Sequence, residues 1–257
     1  AALILKLVGC KTIALDGYVK ENQYIDNIVP VVKRENIHNV DRCFECLKYF
    51  GINSEYNENI YYRRIFNKEK IEKTYTQLNL GLSNEEFIVL CVGANKVSFK
   101  INGKYKSNDV KNWPIENWIV LANSLNKENI RVVLVGGKND IKKIIDCKER
   151  LDNSILNLVG RMNIAESISI LEYAKMVVGC DTGLMHCAAS LNKRTLMLLG
   201  GITPIQAQGY GKNSESIYLH KQCSPCFGTG KDVFCNDPVC MKEISVENVL
   251  ERILNIC

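Results

Sequence analysis

Between Ala174 and Gly201 the chain reads AKMVVGCDTGLMHCAASLNKRTLMLLGG, and this stretch limits the possible folds more than any other. Lys175 to Gly179 is a short apolar run rich in Val, followed by Cys180-Asp181-Thr182-Gly183. A helical pattern comes next, with Leu184, Ala188 and Leu191 on one face, and then a second apolar run from Thr195 to Leu199. Strand, tight turn, helix and strand make a βαβ unit. In such a unit the loop after the first strand lies at the carboxyl edge of a parallel sheet, where the next helix points its unpaired N–H groups into a crevice that suits an anion. Gly183 permits close approach to the backbone, Thr182 adds a hydroxyl donor at the helix start, and His186 adds another in the first turn. The alternative is that Asp181 or Thr182 only caps the helix and His186 packs beneath the loop.

Upstream and downstream runs extend the same alternation. Phe87 to Val92 reads as a buried strand and ends at Gly93-Ala94-Asn95, where ligand-collecting loops gather. A polar loop is predicted from Lys96 to Val110, before Lys111-Asn112-Trp113-Pro114 opens a helix carrying Ile115, Trp118, Leu121, Ala122 and Leu125. An ammonium at Lys111 would neutralise a diphosphate at that mouth; taken alone, Lys111 also reads as a surface lysine. Arg131 to Val135 is the next strand and runs into Gly136-Gly137-Lys138-Asn139-Asp140. Asp140 either accepts from ribose hydroxyls or caps a helix over residues 141–150. A strand and loop follow at residues 157–163, then a helix from Ile164 to Tyr173, with Met162 either against a nucleotide base or in the core. Val246, Val249, Leu250 and Ile253 mark an amphipathic closing helix.

The chain opens in mid-pattern at Ala1. Residues 3–8 read as the end of a helix and Thr12 to Leu15 as a strand, so the expectation is that the true N-terminus of a first Rossmann-like domain is missing. In Asn36 to Ile52, NIHNVDRCFECLKYFGI, the lone His38 is assigned a structural role. Residues 56–73 are polar and aromatic and read as a solvated linker and helix.

Of 257 residues 46% are hydrophobic and 24% charged, enough for a sizeable core in one or two domains. No run approaches the roughly 18 apolar residues of a membrane span, and no secretory signal opens the chain, so a cytoplasmic location is expected. The net charge of +5 suits phosphorylated ligands or an anionic membrane surface, while the dispersal of the basic residues argues against nucleic acid. Twelve cysteines are present. Several lie in apolar runs, where a thiol behaves as a small hydrophobe. Cys223, Cys226, Cys235 and Cys240 cluster at 223–240; zinc and reduced thiols both remain open for them, and disulfides are disfavoured in a reducing compartment.

Several of these segments together resemble glycosyltransferase family 9, which contains the lipopolysaccharide heptosyltransferases. They are Asp-Thr-Gly-Leu-Met-His-Cys-Ala-Ala-Ser-Leu with Gly-Gly and Thr203-Pro204 behind it, Gly93-Ala94 followed by Lys111-x-Trp113-Pro114, and Gly136-Gly137 with an acid close by. The segment around His38-Asn39-Val40-Asp41-Arg42, the Leu158-x-Gly160 loop, residues 203–211 and the Cys-x-Pro-Cys…Cys240-Met241 group also match that pattern. Residues 95–109 are longer than the family pattern.

The resemblance implies an α/β fold of GT-B type: a partial, acceptor-side Rossmann-like domain at residues 1–82 and a doubly wound donor-binding domain at 83–257. It implies inverting transfer of a sugar, heptose from ADP-heptose, to a lipopolysaccharide core or other lipid-linked acceptor at the cytoplasmic face of the inner membrane. No cofactor or metal is expected. The donor site implied comprises Gly93, Lys111, Asp140, Met162, Asp181, Thr182, Gly183 and His186. The general base implied is a carboxylate near the start of the first domain, to which no residue of this chain corresponds. Two alternatives stand beside this reading: a nucleotide-sugar-binding protein without turnover, and a GT-B enzyme using another nucleotide sugar.

Overall fold

The computed structural model describes residues 13–15, 27–29, 37–53, 86–101, 104–226 and 235–256. Two short strands, β1 (Ile13–Leu15) and β2 (Asn27–Val29), pair in parallel, and helix α1 (Asn39–Tyr49) follows. His38 caps α1 with its side chain, and past the C-cap the chain turns at Gly51, whose φ of +73° suits glycine. The helix expected near residues 3–8 and the linker at 56–73 lie outside the described residues.

The rest is organised by one parallel sheet. Strands β3 (Phe87–Cys91), β6 (Arg131–Val135), β7 (Leu156–Asn157), β8 (Met176–Cys180), β9 (Arg194–Leu199) and β10 (Ser214–Tyr218) lie in the order β10-β9-β8-β3-β6-β7. Numbered from β3, that is the doubly wound order in which the chain reverses direction beside its first strand. The switch point therefore falls between the carboxyl ends of β3 and β8.

Two layers of helix cover the two faces, which is why the strands are continuously apolar instead of alternating. Ile88, Leu90, Val132, Leu134, Met176, Val178, Leu196 and Leu198 point to one face, with Trp118, Leu121 and Leu125 of α2 (Ile115–Lys127) and Val249 and Ile253 of α8 (Val246–Ile256). Phe87, Val89, Val133, Val177 and Met197 point to the other, with Ile168 and Leu171 of α4 (Ile164–Tyr173) and Met185 and Ala188 of α5 (Gly183–Ser190). The two-residue period of a strand sorts the side chains this way without further instruction.

Three expectations are corrected. The stretch expected to be a polar loop at 96–110 contains a hairpin, β4 (Val97–Ile101) paired antiparallel with β5 (Lys104–Asn108). Ile101 pairs with Lys104, so two residues connect the strands, and Asn102-Gly103 there is the sequence signature of such a turn. The helix expected over 141–150 is α3 (Ile141–Ile145) followed by a 3-10 turn at Lys148–Arg150, an arrangement that keeps Ile144 and Cys147 buried. The strand expected from 157 is the two-residue β7, one position earlier. Two short helices complete the set, α6 (Pro204–Ala207) after β9 and α7 (Val239–Lys242) before α8. Among the described residues no helix is long and apolar enough to cross a membrane.

Candidate active site

At the switch point the loops after β3 and β8 bring three charged or polar side chains together across 70 residues of sequence. Lys111 Nζ donates to Asp181 Oδ2 at 2.5 Å, and His186 Nε2 lies 3.2 Å from the other carboxylate oxygen. The lysine and aspartate side chains retain only 22% and 14% of their exposure, so the ion pair is largely withdrawn from water, whereas His186 at 40% stays open to the crevice. Burial by itself would raise the Asp181 carboxyl. The hydrogen bond from His186 and the ammonium of Lys111 outweigh it and hold the group below its ordinary value, so it is a carboxylate at neutral pH.

Each member has a local reason to be there. Asp181 leaves β8 directly, because Gly183 begins α5 two residues later. Thr182 is the N-cap in extended backbone, but its hydroxyl makes no cap bond; Oγ1 is buried and without a hydrogen-bond partner. A buried hydroxyl beside a helix N-terminus has the chemistry to donate to an anion. His186 sits in the first turn, its N–H bonded to the Thr182 carbonyl at 3.3 Å.

Lys111 is placed by its neighbours in the chain. Asn112 grips Ala94 at both backbone atoms, accepting from the N–H at 2.6 Å and donating to the carbonyl at 2.8 Å, and also donates to Asp109. Trp113, 2% exposed, stands edge-on to Trp118 and donates from its indole to the Ile244 carbonyl at 2.8 Å, while its backbone N–H meets Cys180 Sγ at 3.4 Å. Sequence reading selected Lys111 and passed over Asn112. The signal was available in its position between two motif residues, but a clamp on a loop 18 residues upstream has no mark in a one-dimensional pattern.

Asp140 and Gly93 also meet, since a Cβ at position 93 would stand 2.0 Å from Asp140 Oδ2. Only glycine leaves that carboxylate its place, where it accepts from the Gly137 N–H at 3.0 Å. Asp140 is the backbone N-cap of α3, and its carboxylate, in accepting from Gly137, closes a capping box on the 3-10 turn Lys138–Asp140 that leads into the helix. Lys143 reaches both Asp109 (3.4 Å) and Asp140 (3.6 Å), tying the loop of Lys111 to the loop after β6. Met162 is partly buried against the core on the α4 and α5 face.

The cysteine segment packs behind the loop after β9, where Ser224 donates to the Gly200 carbonyl and the Cys226 N–H to the Gly201 carbonyl at 3.0 Å. Every described cysteine is a thiol, and burial together with the neighbouring cysteines pushes Cys240 up to about 11. Among the described residues no group of His, Cys, Asp or Glu is arranged to hold a metal ion.

Comparison with known proteins gives this geometry its family. The family model described as "Glycosyltransferase family 9 (heptosyltransferase)" matches residues 1–235. The chain belongs to glycosyltransferase family 9. Among curated members, lipopolysaccharide heptosyltransferase 1 of Salmonella typhimurium is 32% identical over 120 residues, 46% of this chain. Lipopolysaccharide heptosyltransferase 2 of Escherichia coli is 30% identical over 138 residues, 52% of this chain; each match spans 36% of the relative's own length.

Solved family 9 structures share the fold. The family 9 glycosyl transferase of Veillonella parvula superposes with a TM-score of 0.73 at 14% identity, covering 99% of this chain and 70% of that one. The ADP-heptose lipopolysaccharide heptosyltransferase II of E. coli does so at 0.68 and 19%, covering 99% and 72%. The fold is thus α/β of GT-B type, as the sequence implied.

Proposed function

We propose that this family 9 chain binds ADP-heptose at the switch point and transfers the heptose, with inversion, to a lipopolysaccharide core acceptor. The observation that carries the reading is the Lys111–Asp181–His186 group set against the N-terminus of α5. The names of its relatives, lipopolysaccharide heptosyltransferases 1 and 2, support the acceptor class, and a fold-mate that uses ADP-heptose supports the donor.

Breaking a sugar–phosphate bond builds positive charge on the ring and negative charge on the departing diphosphate. Donors already fixed where that negative charge appears lower the barrier without reorganising, and such preorganisation is often the largest catalytic contribution. Here the donors are Lys111 Nζ, the Thr182 hydroxyl, the N–H groups at Gly183 and the His186 ring. Asp181 does not itself face a diphosphate well, since both are anionic. Its part is to orient Lys111 and His186 and to accept from hydroxyls of the sugar. In this reading Asp140, lodged against Gly93, takes the ribose and Met162 the base. The acceptor approaches from the side of α1.

Calorimetric titration of the full chain with ADP, UDP and GDP tests the nucleotide, with Lys111→Ala as the control. ADP is expected to bind tightest, and the substitution to weaken it by about tenfold or more, the worth of a charge-assisted contact. Equal affinity for all three nucleotides, or no change in Lys111→Ala, removes the assignment. Release of ADP from ADP-heptose on adding a core acceptor then tests transfer; binding without release makes the chain a donor-binding protein.

A further inference from the structure

A second set of contacts, separate from the donor group, joins α1 to the segment after β9. His38 uses both ring nitrogens: Nδ1 accepts from the Val40 N–H at 3.1 Å, and Nε2 donates to the Gln208 carbonyl at 2.7 Å. The ring is tilted against Tyr210 with centroids 4.8 Å apart, and the Tyr210 hydroxyl donates to Asp41 one turn along α1. Gln208 is not a loose acceptor. Its side chain donates to the Ser214 carbonyl at 2.7 Å and accepts from the Ser216 hydroxyl at 2.6 Å, which fixes it to edge strand β10.

We propose that His38, acting through Gln208 and supported by the Tyr210–Asp41 bond, is a positioning residue: a strut that holds α1 at a set distance from the rim of the donor-binding sheet. A helix cap needs only one acceptor, and Asn, Ser or Asp supplies it on a shorter side chain. A neutral imidazole accepts at one nitrogen and donates at the other across a rigid ring, and both ends are used here across 170 residues of sequence.

That double use makes the strut sensitive to protons. With Nδ1 protonated the Val40 N–H faces another donor and the cap is lost. Burial lowers the His38 pKa most, the Gln208 carbonyl and Asp41 pull it back up, and His186 of the donor site, near enough to repel a second charge, lowers it further. Tyr210 is the other ring packed against the imidazole. The folded value lies below the ordinary one, so the strut's stabilisation is complete above the ordinary histidine value and is lost as the pH falls through the lowered one.

The contact stands whatever nucleotide sugar the neighbouring site takes, so its test is independent of donor chemistry. Amide hydrogen exchange of the full chain is followed at 39–43 in α1 and at 208–211, for the native protein, His38→Asn and Tyr210→Phe. Asn keeps an acceptor for Val40 but cannot span to Gln208. Exchange at 208–211 is expected to speed up about fivefold in His38→Asn, the worth of one hydrogen bond, with α1 still protected. On acidification below the ordinary histidine value the native protein, after correction for intrinsic exchange, should loosen at 39–43, where the Val40 N–H loses its acceptor, and His38→Asn should not. Unchanged protection at 208–211 in His38→Asn, or a loss confined to α1 in that variant, overturns the strut. Should His38→Asn unfold α1, Tyr210→Phe decides: loosening at 208–211 upholds the proposal and native protection there overturns it.

Discussion

The loops that follow β3 and β8 occupy equivalent places on either side of one switch point, and they are built in opposite ways. After β8 the chain needs only Asp181 and Thr182 before α5 begins, so the helix itself presents its N–H groups and His186 to the crevice. After β3 it travels from Val92 to Pro114 through the β4–β5 hairpin before α2 begins. The cation on that side is carried by Lys111, which is held by Asn112 on Ala94, by Trp113 in the core and by Asp181 across the gap. One side is preorganised by local backbone geometry, the other by tertiary contacts. A charge on a long connection can be placed as firmly as one on a helix, provided its neighbours in the chain are anchored.

The contrast is broken hardest by removing the anchor. Trp113→Ala should cost about 3–5 kcal/mol of stability, as expected for a buried Trp truncation, because the core, the indole bond to Ile244 and the edge contact with Trp118 are lost together. Urea unfolding measures it, and exchange at 92–112 should rise in this variant more than exchange at 180–184. Equal loosening of both loops would erase the distinction.

A smaller effect separates the two anion donors. Lys111→Ala should weaken ADP by about 10–100-fold, the worth of a charge-assisted bond, and Thr182→Val by only about 3–10-fold, since it removes one neutral donor and leaves the N-terminus of α5. Both are read by calorimetry. A larger loss from Thr182→Val than from Lys111→Ala would place the main anion contact on the β8 side.

The smallest effect is the response to acid. Asp181 titrates below its ordinary value in the folded chain, so on acidification the unfolded chain takes up this proton first. The stabilisation from the Lys111–Asp181–His186 group is complete above the ordinary carboxylate range and is lost as the pH falls through the lowered value. Thermal unfolding of the native chain and of Asp181→Asn should therefore converge in acid and diverge toward neutrality. Parallel pH profiles would show that the ion pair gives no net stability.

The β8–α5 unit was legible because its information is local: an apolar strand, a turn containing glycine and a helical period lie next to one another, and their spacing determines where Asp181, Thr182, Gly183 and His186 sit. The two-faced core was legible for the same reason, through runs such as Phe87 to Val92 that stay apolar at every position. The hairpin at 97–108 was legible in principle from Asn102-Gly103 and was hidden by the polar residues around it.

What only the tertiary structure decided are the pairings between distant residues. Lys111 with Asp181, Asn112 with Ala94, Asp140 lodged against Gly93, and His38 with Gln208 all depend on where the strands of one sheet end relative to one another. Strand order is an energetic property of the whole sheet, set by which apolar faces bury together, and a linear pattern of residues carries no record of it. The sequence by itself therefore determined the elements and the chemical types at their ends; packing decided which of those ends meet.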